Sequence, residues 1–205
     1  MNKNLMKFNK ILALAPHTDD VELGCGGLLS RYKDSAEIDV VAFTSAQPLS
    51  DGNPVDEFNS AMKMIGANVK FLNFEPRVLN TQRQRVLDTL WKLNQEKNYD
   101  VVFCPSTYDC HQDHKVISEE CFRAFKKTTI LGYELLWNCR TFRTDVFVTL
   151  EKKDLELKFK MLDCYKTQGE RVFMGKEYIY DIARTRGLQI GKKYAEAYEA
   201  IRIVI

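Results

Sequence analysis

The stretch ILALAPHTDDVELGCGG, Ile11 to Gly27, joins an apolar run to a polar cluster and then to a group of glycines. The run ILALA has the length and the apolar character of a strand that is buried on both faces. His17, Asp19 and Asp20 follow it at once, although adjacent carboxylates repel each other and a simple turn does not need them. The stretch therefore predicts a buried strand whose carboxyl end carries side chains with a chemical role.

Short apolar runs recur along the chain and indicate further strands. The predicted strands lie within KILALAP, IDVVAFTS, VKFLNF, DVVFCPS, TTILGYE and DVFVTL. Helical spacing predicts three apolar helix faces, formed by Phe58, Ala61, Met62 and Ile65, by Val86, Leu87, Leu90 and Trp91, and by Leu155, Phe159 and Leu162. Strands that alternate with helices favour one α/β domain over residues 1–205, a Rossmann-like doubly wound, mainly parallel sheet with helices on both faces.

The composition of the chain excludes several classes of protein. The 30 basic and 28 acidic residues nearly balance and are scattered, so nucleic acid is not expected as a partner. The apolar runs are far shorter than the roughly 20 residues of a membrane span, and ILALA is too short for the core of a signal peptide. The six cysteines form no CxxC pair, so neither a zinc ribbon nor a redox dithiol is indicated. We expect a cytoplasmic protein without stable membrane insertion, and the sequence leaves open whether it forms a homo-oligomer.

A second polar cluster, PSTYDCHQDHKVI at Pro105 to Ile117, follows the fourth predicted strand. In a doubly wound sheet of order 3-2-1-4-5, the first and fourth strands are neighbours, and ligands bind beyond their carboxyl ends. The three histidines of the chain all lie in the two clusters: His17, His111 and His114. The aspartates beside them are Asp19, Asp20, Asp109 and Asp113. The two clusters are therefore expected to meet and to form one site.

The residue types in this site favour a metal ion. Imidazole and carboxylate groups are suitable zinc ligands, and three protein ligands with one open position are typical of catalytic zinc. His17 and Asp20 are three residues apart, which places both side chains on one side of a first helical turn. His114 from the neighbouring loop could supply the third ligand.

Structural alternatives exist for each of these residues when it is taken alone. Asp19 followed by Glu22 resembles a helix N-cap with its partner, and acids in a first turn suit the helix dipole. A lone His17 is more often a hydrogen-bonded loop residue than a ligand. Capping, however, needs neither His17 nor a histidine pair after another strand, so the joint arrangement favours the site.

The glycines of the opening stretch raise a competing hypothesis, a nucleotide-binding Rossmann protein. Such a site needs the pattern GxGxxG directly after the strand. Here Gly24, Gly26 and Gly27 come well after Ala15, and position 29 is leucine. The signal for a nucleotide is therefore weak, and we interpret Gly26 and Gly27 as positions of close packing between a helix and the sheet.

Together, PHTDDVELGCGG and HQDHKVI resemble the paired signature of the PIG-L/LmbE-type zinc-dependent N-deacetylases. Members of that family remove acetyl groups from substrates that contain N-acetylglucosamine. The resemblance is strong over Ile11–Leu29 and Val101–Ile117 and weaker over Lys158–Ala200. It implies an LmbE-like form of the predicted fold and a small-molecule N-acetyl amino-sugar substrate, cleaved when a metal-activated water attacks the acetyl carbonyl.

The resemblance also implies a role for each residue of the site. The metal ligands would be His17, Asp20 and His114, which would hold Zn²⁺ or another divalent ion. The catalytic residues would be Asp19 as general base, His111 as the group that assists the developing oxyanion, and Asp113 as the residue that orients a histidine.

The chain departs from the family pattern at positions that bear on loop shape and on substrate binding. Thr18 and Gln112 stand where proline is common, which changes loop stiffness more than chemistry. Pro54 stands where many members carry an arginine, at the end of the polar loop Thr44–Pro54 that we expect on the functional rim. The missing arginine could be replaced by Arg77, Arg83, Arg140 or Arg143, and the sequence does not choose among them.

Two other functions remain open. An amidase acting on a thiol-sugar conjugate would use the same metal site and would differ only in its pocket. A non-catalytic metal- or sugar-binding module would keep the fold. Metal binding alone, however, does not require Asp19, an unliganded carboxylate beside the ligands, and this residue argues against the module.

Overall fold

A seven-stranded sheet forms the centre of the protein in a computed structural model that describes residues 7–205. The strands are β1 (Lys10–Ala15), β2 (Glu37–Ala42), β3 (Asn68–Phe71), β4 (Val101–Pro105), β5 (Thr129–Tyr133), β6 (Val146–Thr149) and β7 (Ala195–Arg202). They lie in the order β3-β2-β1-β4-β5-β7-β6. The strands from β1 to β5 pair in parallel, whereas β7 runs antiparallel to both β5 and β6. The predicted α/β, mainly parallel sheet is confirmed.

Helices cover both faces of this sheet. They are α1 (Asp20–Tyr32), α2 (Pro54–Lys63), α3 (Arg83–Glu96), α4 (Gln112–Ala124), α5 (Lys152–Leu162) and α6 (Lys176–Leu188). Ile11 and Ala13 of β1 join one apolar core with α1, α2, α5 and α6, while Leu12 and Leu14 join a second core with α3 and α4. Successive strand residues point to opposite faces, so β1 is apolar throughout because both of its faces are buried. None of these described helices is long and apolar enough to cross a bilayer.

The strand predictions hold for all six quoted runs, and β1 and β4 are neighbours as expected. The strand β7 was not predicted, because Glu196 and Glu199 interrupt its apolar pattern. Glu196 is buried, and its carboxylate accepts hydrogen bonds from the Gly27 and Leu28 amides at 2.9 and 2.8 Å and from Lys158 Nζ at 2.7 Å. A strand can hold such a charge only because partners reach it from other elements.

The predicted helix faces are confirmed in α2 and largely in α5, but the prediction for α3 is wrong at one position. Val86 and Leu90 are fully buried, whereas Trp91 is 49% exposed. Trp91 lies instead in an open surface groove beside Phe122 and Arg202. Fewer residues of α3 are therefore buried than its apolar sequence pattern predicts.

The glycines of α1 lie where the helix packs closely on its neighbours. A Cβ atom at Gly24 would lie 2.2 Å from the Tyr133 ring, and one at Gly27 would lie 2.5 Å from Leu150. At Gly26 the nearest atom, on Lys158, would be 3.1 Å away. The packing interpretation is confirmed for Gly27, which also lies against Glu196 of β7, whereas Gly26 packs on the helix α5 and not on the sheet. At both positions protein atoms occupy the space beside the glycine.

Candidate active site

The two polar clusters meet at the carboxyl ends of β1 and β4, as predicted. These strands pair directly, with Ile11 opposite Val101. The rings of His17 and His111 lie 4.8 Å apart between centroids, and those of His111 and His114 lie 4.4 Å apart. Residues separated by more than ninety positions in sequence thus form one cluster at the switch point of the sheet.

Three donor atoms in this cluster converge closely. His17 Nδ1 lies 3.1 Å from both Asp20 Oδ2 and His114 Nε2, and the latter two atoms lie 3.3 Å apart. In tetrahedral zinc sites, bonds of about 2.0–2.1 Å separate the ligand atoms by roughly 3.3 Å. The residues His17, Asp20 and His114 therefore fit a small divalent cation.

A second grouping, of the three histidines, is also compact. One ring nitrogen from each of His17, His111 and His114 lies within 4.8 Å of the others. The set that contains Asp20 is tighter and supplies a negative charge to offset that of a cation. We therefore regard His17, Asp20 and His114 as the better ligand set.

Two buried carboxylates contact the ligand histidines at the ring nitrogen that points away from the convergent donor atoms. His114 Nδ1 lies 2.7 Å from Asp109 Oδ2, and His17 Nε2 lies 3.2 Å from Asp113 Oδ2. Both aspartates are fully buried. A carboxylate on the far ring nitrogen fixes the tautomer and the direction of a metal-binding histidine. Asp113 therefore lies where a histidine-orienting residue was expected, whereas Asp109 was noted in the sequence without a role.

The charges around the ligand atoms favour a cation. Burial lowers the pKa of His17, but the carboxylates of Asp20 and Asp113 outweigh it and raise that pKa to about 10. For His114 the same competition, with Asp20 and Asp109, raises the pKa to about 9. Burial opposes ionisation of Asp20, yet the two imidazoles hold its pKa far below the usual range. The carboxylates that keep these imidazoles protonated would also stabilise a divalent ion.

Asp19 lies beside the ligand atoms without joining them. It is buried, with 7% of its surface exposed, and it lines the pocket above the cluster. Its backbone occupies the N-cap position of α1, but its side chain makes no capping hydrogen bond, so the capping interpretation is wrong. Burial, followed by repulsion from Asp20, raises the pKa of Asp19 to about 6. A carboxyl group with such a pKa can accept and return a proton near neutral pH.

His111 presents a hydrogen-bond donor to the same pocket. Its Nδ1 accepts a hydrogen bond from the Asp113 backbone amide at 3.2 Å, which makes His111 the N-cap of α4. Burial and the charges of His114 and His17 lower its pKa. A neutral ring whose Nδ1 accepts must carry its proton on Nε2. That N–H is available to a negative charge that develops in the pocket.

Buried contacts beneath the cluster fix the loop that carries it. Thr18 Oγ1 accepts a hydrogen bond from the Ala46 amide at 3.0 Å, so the residue at the position of the family proline ties two loops together. The Tyr165 hydroxyl contacts the Thr18 carbonyl oxygen and lies 2.5 Å from Glu22 Oε1. Glu22 is fully buried, and burial raises its pKa well above the usual value. These contacts hold the backbone between His17 and Asp20 in place.

A cavity of about 590 Å³ opens above the cluster. One side is aromatic, since the rings of Trp137 and Phe173 stack with centroids 3.8 Å apart and planes 10° apart. The loop after β2 contributes residues 45–48 to another side, which confirms the expectation that this loop lies on the rim. The cavity is large enough for a small molecule of roughly the size of a disaccharide.

The structure shows which of the candidate arginines line the cavity, a question that the sequence left open. Arg77 lines the cavity, whereas Arg83 binds Glu120 and Arg143 binds Asp145 outside it. Arg140 is exposed and is not among the residues that line the cavity. Pro54 does not line it either; it is buried as the first residue of α2.

Arg171, which no sequence motif indicates, lines the cavity as well. Its segment lies about 60 residues beyond the second histidine cluster and has no local motif. No pattern in the sequence alone predicts that Arg171 lies at the site.

Comparisons with known proteins agree with this fold and identify related proteins. Residues 12–125, more than half of the chain, match the PIG-L family, which is described as GlcNAc-PI de-N-acetylase. The uncharacterized deacetylase YaiS of Escherichia coli (strain K12) is 28% identical over an alignment of 167 positions, which covers 77% of this chain and 90% of YaiS.

Solved structures with the same fold differ in their reactions. N,N'-diacetylchitobiose deacetylase from Pyrococcus horikoshii, in complex with an inhibitor, has a TM-score of 0.78 at 21% identity, over 94% of this chain and 83% of its own. GalB, the 4-carboxy-2-hydroxymuconate hydratase of Pseudomonas putida KT2440, has a TM-score of 0.78 at 16% identity, over 96% and 98% of the two chains. At these identities the likeness establishes the fold, and the reaction has to be argued from the site.

Proposed function

Because the chain belongs to the PIG-L family of deacetylases, we propose that it is a metal-dependent hydrolase that removes the acetyl group from an N-acetylated amino sugar or its conjugate. The observation that carries this proposal is the position of Asp19. It is a buried carboxylate next to three convergent donor atoms. It is not one of these donors, and it faces the cavity. A protein that only bound metal would have no use for such a group.

His17, Asp20 and His114 would hold the metal ion, which we expect to be Zn²⁺ or another divalent cation. Such an ion, when bound, would polarise the acetyl carbonyl and make a water molecule more acidic. Asp113 and Asp109 would act as positioning residues, because their carboxylates fix the rings of His17 and His114 from the side away from the ion.

Asp19 would be the general base. It would take a proton from the attacking water, and the carboxylic acid so formed would give that proton to the amide nitrogen as the C–N bond breaks. The products are acetate and a free amine. His111 would donate its Nε2 hydrogen to the oxygen of the tetrahedral intermediate.

The amidase alternative uses the same residues and differs in the acyl group that is released. The volume of the cavity does not distinguish the two classes of substrate, so the acyl group that is released has to be measured. Amine release from a thiol-sugar conjugate whose amide carries another acyl group, without acetate release from the N-acetyl sugars, would favour the amidase.

The test is acetate release by protein that has been stripped with a chelator and reloaded with Zn²⁺, using N-acetylglucosamine and N,N'-diacetylchitobiose as substrates. We expect acetate from the reloaded protein, little from the stripped protein, and little from a reloaded Asp19→Asn variant that still holds metal. Asp34→Asn is the matched control, because the Asp34 side chain is 84% exposed beyond the far end of α1. Acetate release that is insensitive to chelation, or that persists in Asp19→Asn, would contradict the proposal.

A further inference from the structure

A buried carboxylate on strand β7 binds the loop that leads to the second histidine cluster. Glu199 is 5% exposed, and its Oε2 atom accepts hydrogen bonds from Ser106 Oγ at 2.7 Å and from the Thr107 amide at 2.8 Å. Its Oε1 atom accepts a third hydrogen bond, from Thr107 Oγ1. Ser106 and Thr107 follow β4 directly and belong to the loop that ends at α4. Both oxygens of this carboxylate are therefore bound to one loop of the candidate site.

The hydrogen bonds from the loop are what stabilises the charge of Glu199. Within residues 7–205 it forms no ion pair, whereas Glu196, on the opposite face of the same strand, is paired with Lys158 at 2.7 Å. A buried carboxylate without a cation is unfavourable unless hydrogen-bond donors satisfy it. An apolar side chain at position 199 would avoid this penalty, but it would accept no hydrogen bond from the loop. The residue type therefore indicates a role in fixing the loop, beyond the packing of β7.

The loop also lies directly against the neighbouring strand β5. A Cβ atom at Gly132 would lie 2.9 Å from Ser106 Cα and 3.1 Å from Glu199 Oε2. The Ser106 amide donates to the Tyr133 carbonyl oxygen at 3.0 Å. The beginning of the loop is therefore confined between the backbone of β5 and the carboxylate of Glu199.

A short path leads from this loop to a candidate metal ligand. The Asp109 amide donates to the Ser106 carbonyl oxygen at 3.1 Å, which closes a tight turn over residues 106–109. At the end of the turn, Asp109 Oδ1 accepts from the His111 amide at 2.8 Å, and Asp109 Oδ2 lies 2.7 Å from His114 Nδ1. The direction of the Asp109 carboxylate, and with it that of the His114 ring, therefore depends on where the turn is fixed.

We propose that Glu199 is a positioning residue of the active site: through the hydrogen bonds that it accepts, it fixes the turn over residues 106–109 and so directs Asp109 at His114. The inference rests on the proposed function, because it takes His114 as a metal ligand. It adds a residue that does not line the cavity and that acts on the ligand through Asp109. The metal affinity, and not the fold alone, then depends on Glu199.

The first experiment compares the zinc affinities of two variants by competition with a chelating dye. Glu199→Met keeps the length of the side chain but accepts no hydrogen bond from the loop, so the affinity should fall by about 3- to 10-fold, less than for a change of Asp109 itself. Glu199→Gln should stay within about twofold of the wild type, because its amide oxygen can accept from the loop and its NH₂ group can donate to the Thr107 hydroxyl. Unchanged affinity in Glu199→Met, or a Glu199→Gln variant that is equally weak, would overturn the inference.

The control is Glu196→Gln, which removes the buried carboxylate on the other face of β7. Urea denaturation should show a loss of stability in this variant, because Lys158 loses its charged partner, but the zinc affinity should stay the same. If Glu196→Gln weakened zinc binding as much as Glu199→Met, the effect would be a general loosening of the fold, and the inference would fail.

A variant on the loop side covers the case in which Glu199→Met does not fold. Ser106→Ala removes one of the three hydrogen bonds to Glu199, so the zinc affinity should fall by about threefold. Unchanged affinity in Ser106→Ala would contradict the inference.

A double-mutant cycle tests whether Glu199 acts through Asp109. In Asp109→Ala the path from the turn to His114 is already broken, so the addition of Glu199→Met should change the zinc affinity by less than about twofold. Two losses of affinity that multiply in the double variant would show independent effects. Glu199 would then not be a positioning residue for His114.

Amide hydrogen exchange separates this inference from the proposed function. NMR of the metal-free protein follows the amides of residues 107–109, which donate to Glu199 or to Ser106. In Glu199→Met these amides should exchange about tenfold faster or more, while those of β1 keep their rates. If the wild type bound no zinc, the proposed function would fail, and this measurement would still decide the role of Glu199. Unchanged exchange at the turn would overturn that role.

Discussion

The floor and the rim of the cavity satisfy their charged side chains in opposite ways. At the floor, each ligand histidine has a carboxylate on either side, as His114 has Asp20 at 3.3 Å and Asp109 at 2.7 Å. At the rim, the guanidinium groups of Arg77 and Arg171 donate hydrogen bonds only to Gln47 within the described residues. Groups that act on a bond have to be held in one geometry before the substrate arrives. Charged groups at an open rim stay in contact with water and need no such fixed partners.

The largest effect should come from Asp19, the floor carboxylate that neither belongs to the ligand set nor holds a ligand histidine. Asp19→Asn keeps the size of the side chain and removes the base, so kcat should fall by about 10²- to 10⁴-fold. Zinc content, measured in the same preparation, should stay near that of the wild type. Loss of zinc from this variant would mean that Asp19 is a ligand, and the separation of base and ligands at the floor would be wrong.

Bound zinc should stabilise the folded protein against unfolding. At a free zinc concentration 100 times the dissociation constant, binding to the folded state adds about 2.7 kcal/mol to the free energy of unfolding. Thermal denaturation with and without Zn²⁺ should show this gain in the wild type and little of it in His114→Ala. A gain of equal size in His114→Ala would remove His114 from the ligand set.

The carboxylates behind the histidines should matter to a smaller extent. Asp109→Asn leaves the three ligands in place but loosens the ring of His114, so zinc affinity should fall by about 10- to 100-fold. Competition with a chelating dye measures this affinity, and circular dichroism checks that the fold persists. Unchanged affinity would show that the 2.7 Å contact of Asp109 is only structural.

The smallest effect should come from the rim. Arg77 is exposed, and within the described residues its guanidinium group has no acidic partner, so Arg77→Met should change the free energy of unfolding by no more than about 0.5 kcal/mol. Urea denaturation of the metal-free protein measures this change. A clearly larger loss of stability would mean that Arg77 supports the fold, and the contrast between floor and rim would be weaker than its contacts indicate.

The sequence predicts the floor well because its residues lie in two compact motifs that each follow a strand. Once β1 and β4 are recognised as neighbours, His17 and His114 have to approach each other. The sequence does not show which carboxylate stands behind which ring, since that depends on side-chain direction. Asp109 was left without a role for this reason.

The rim and the end of the sheet were harder to predict. Arg171 comes from a loop between α5 and α6 that only the tertiary structure brings to the cavity. The strand β7 was missed because Glu196 and Glu199 contradict a buried apolar pattern, and their partners are distant in sequence. In both cases the deciding contacts are long-range, and no local pattern reports them.

The most direct test of the account is a crystal structure of the zinc-loaded protein, with diffraction measured at the zinc absorption edge. We expect one ion bound by His17 Nδ1, Asp20 and His114 Nε2, with Asp19 close by but not coordinating. An ion bound by His111 in place of Asp20, or one bound directly by Asp19, would contradict the division of roles on which the proposed reaction depends.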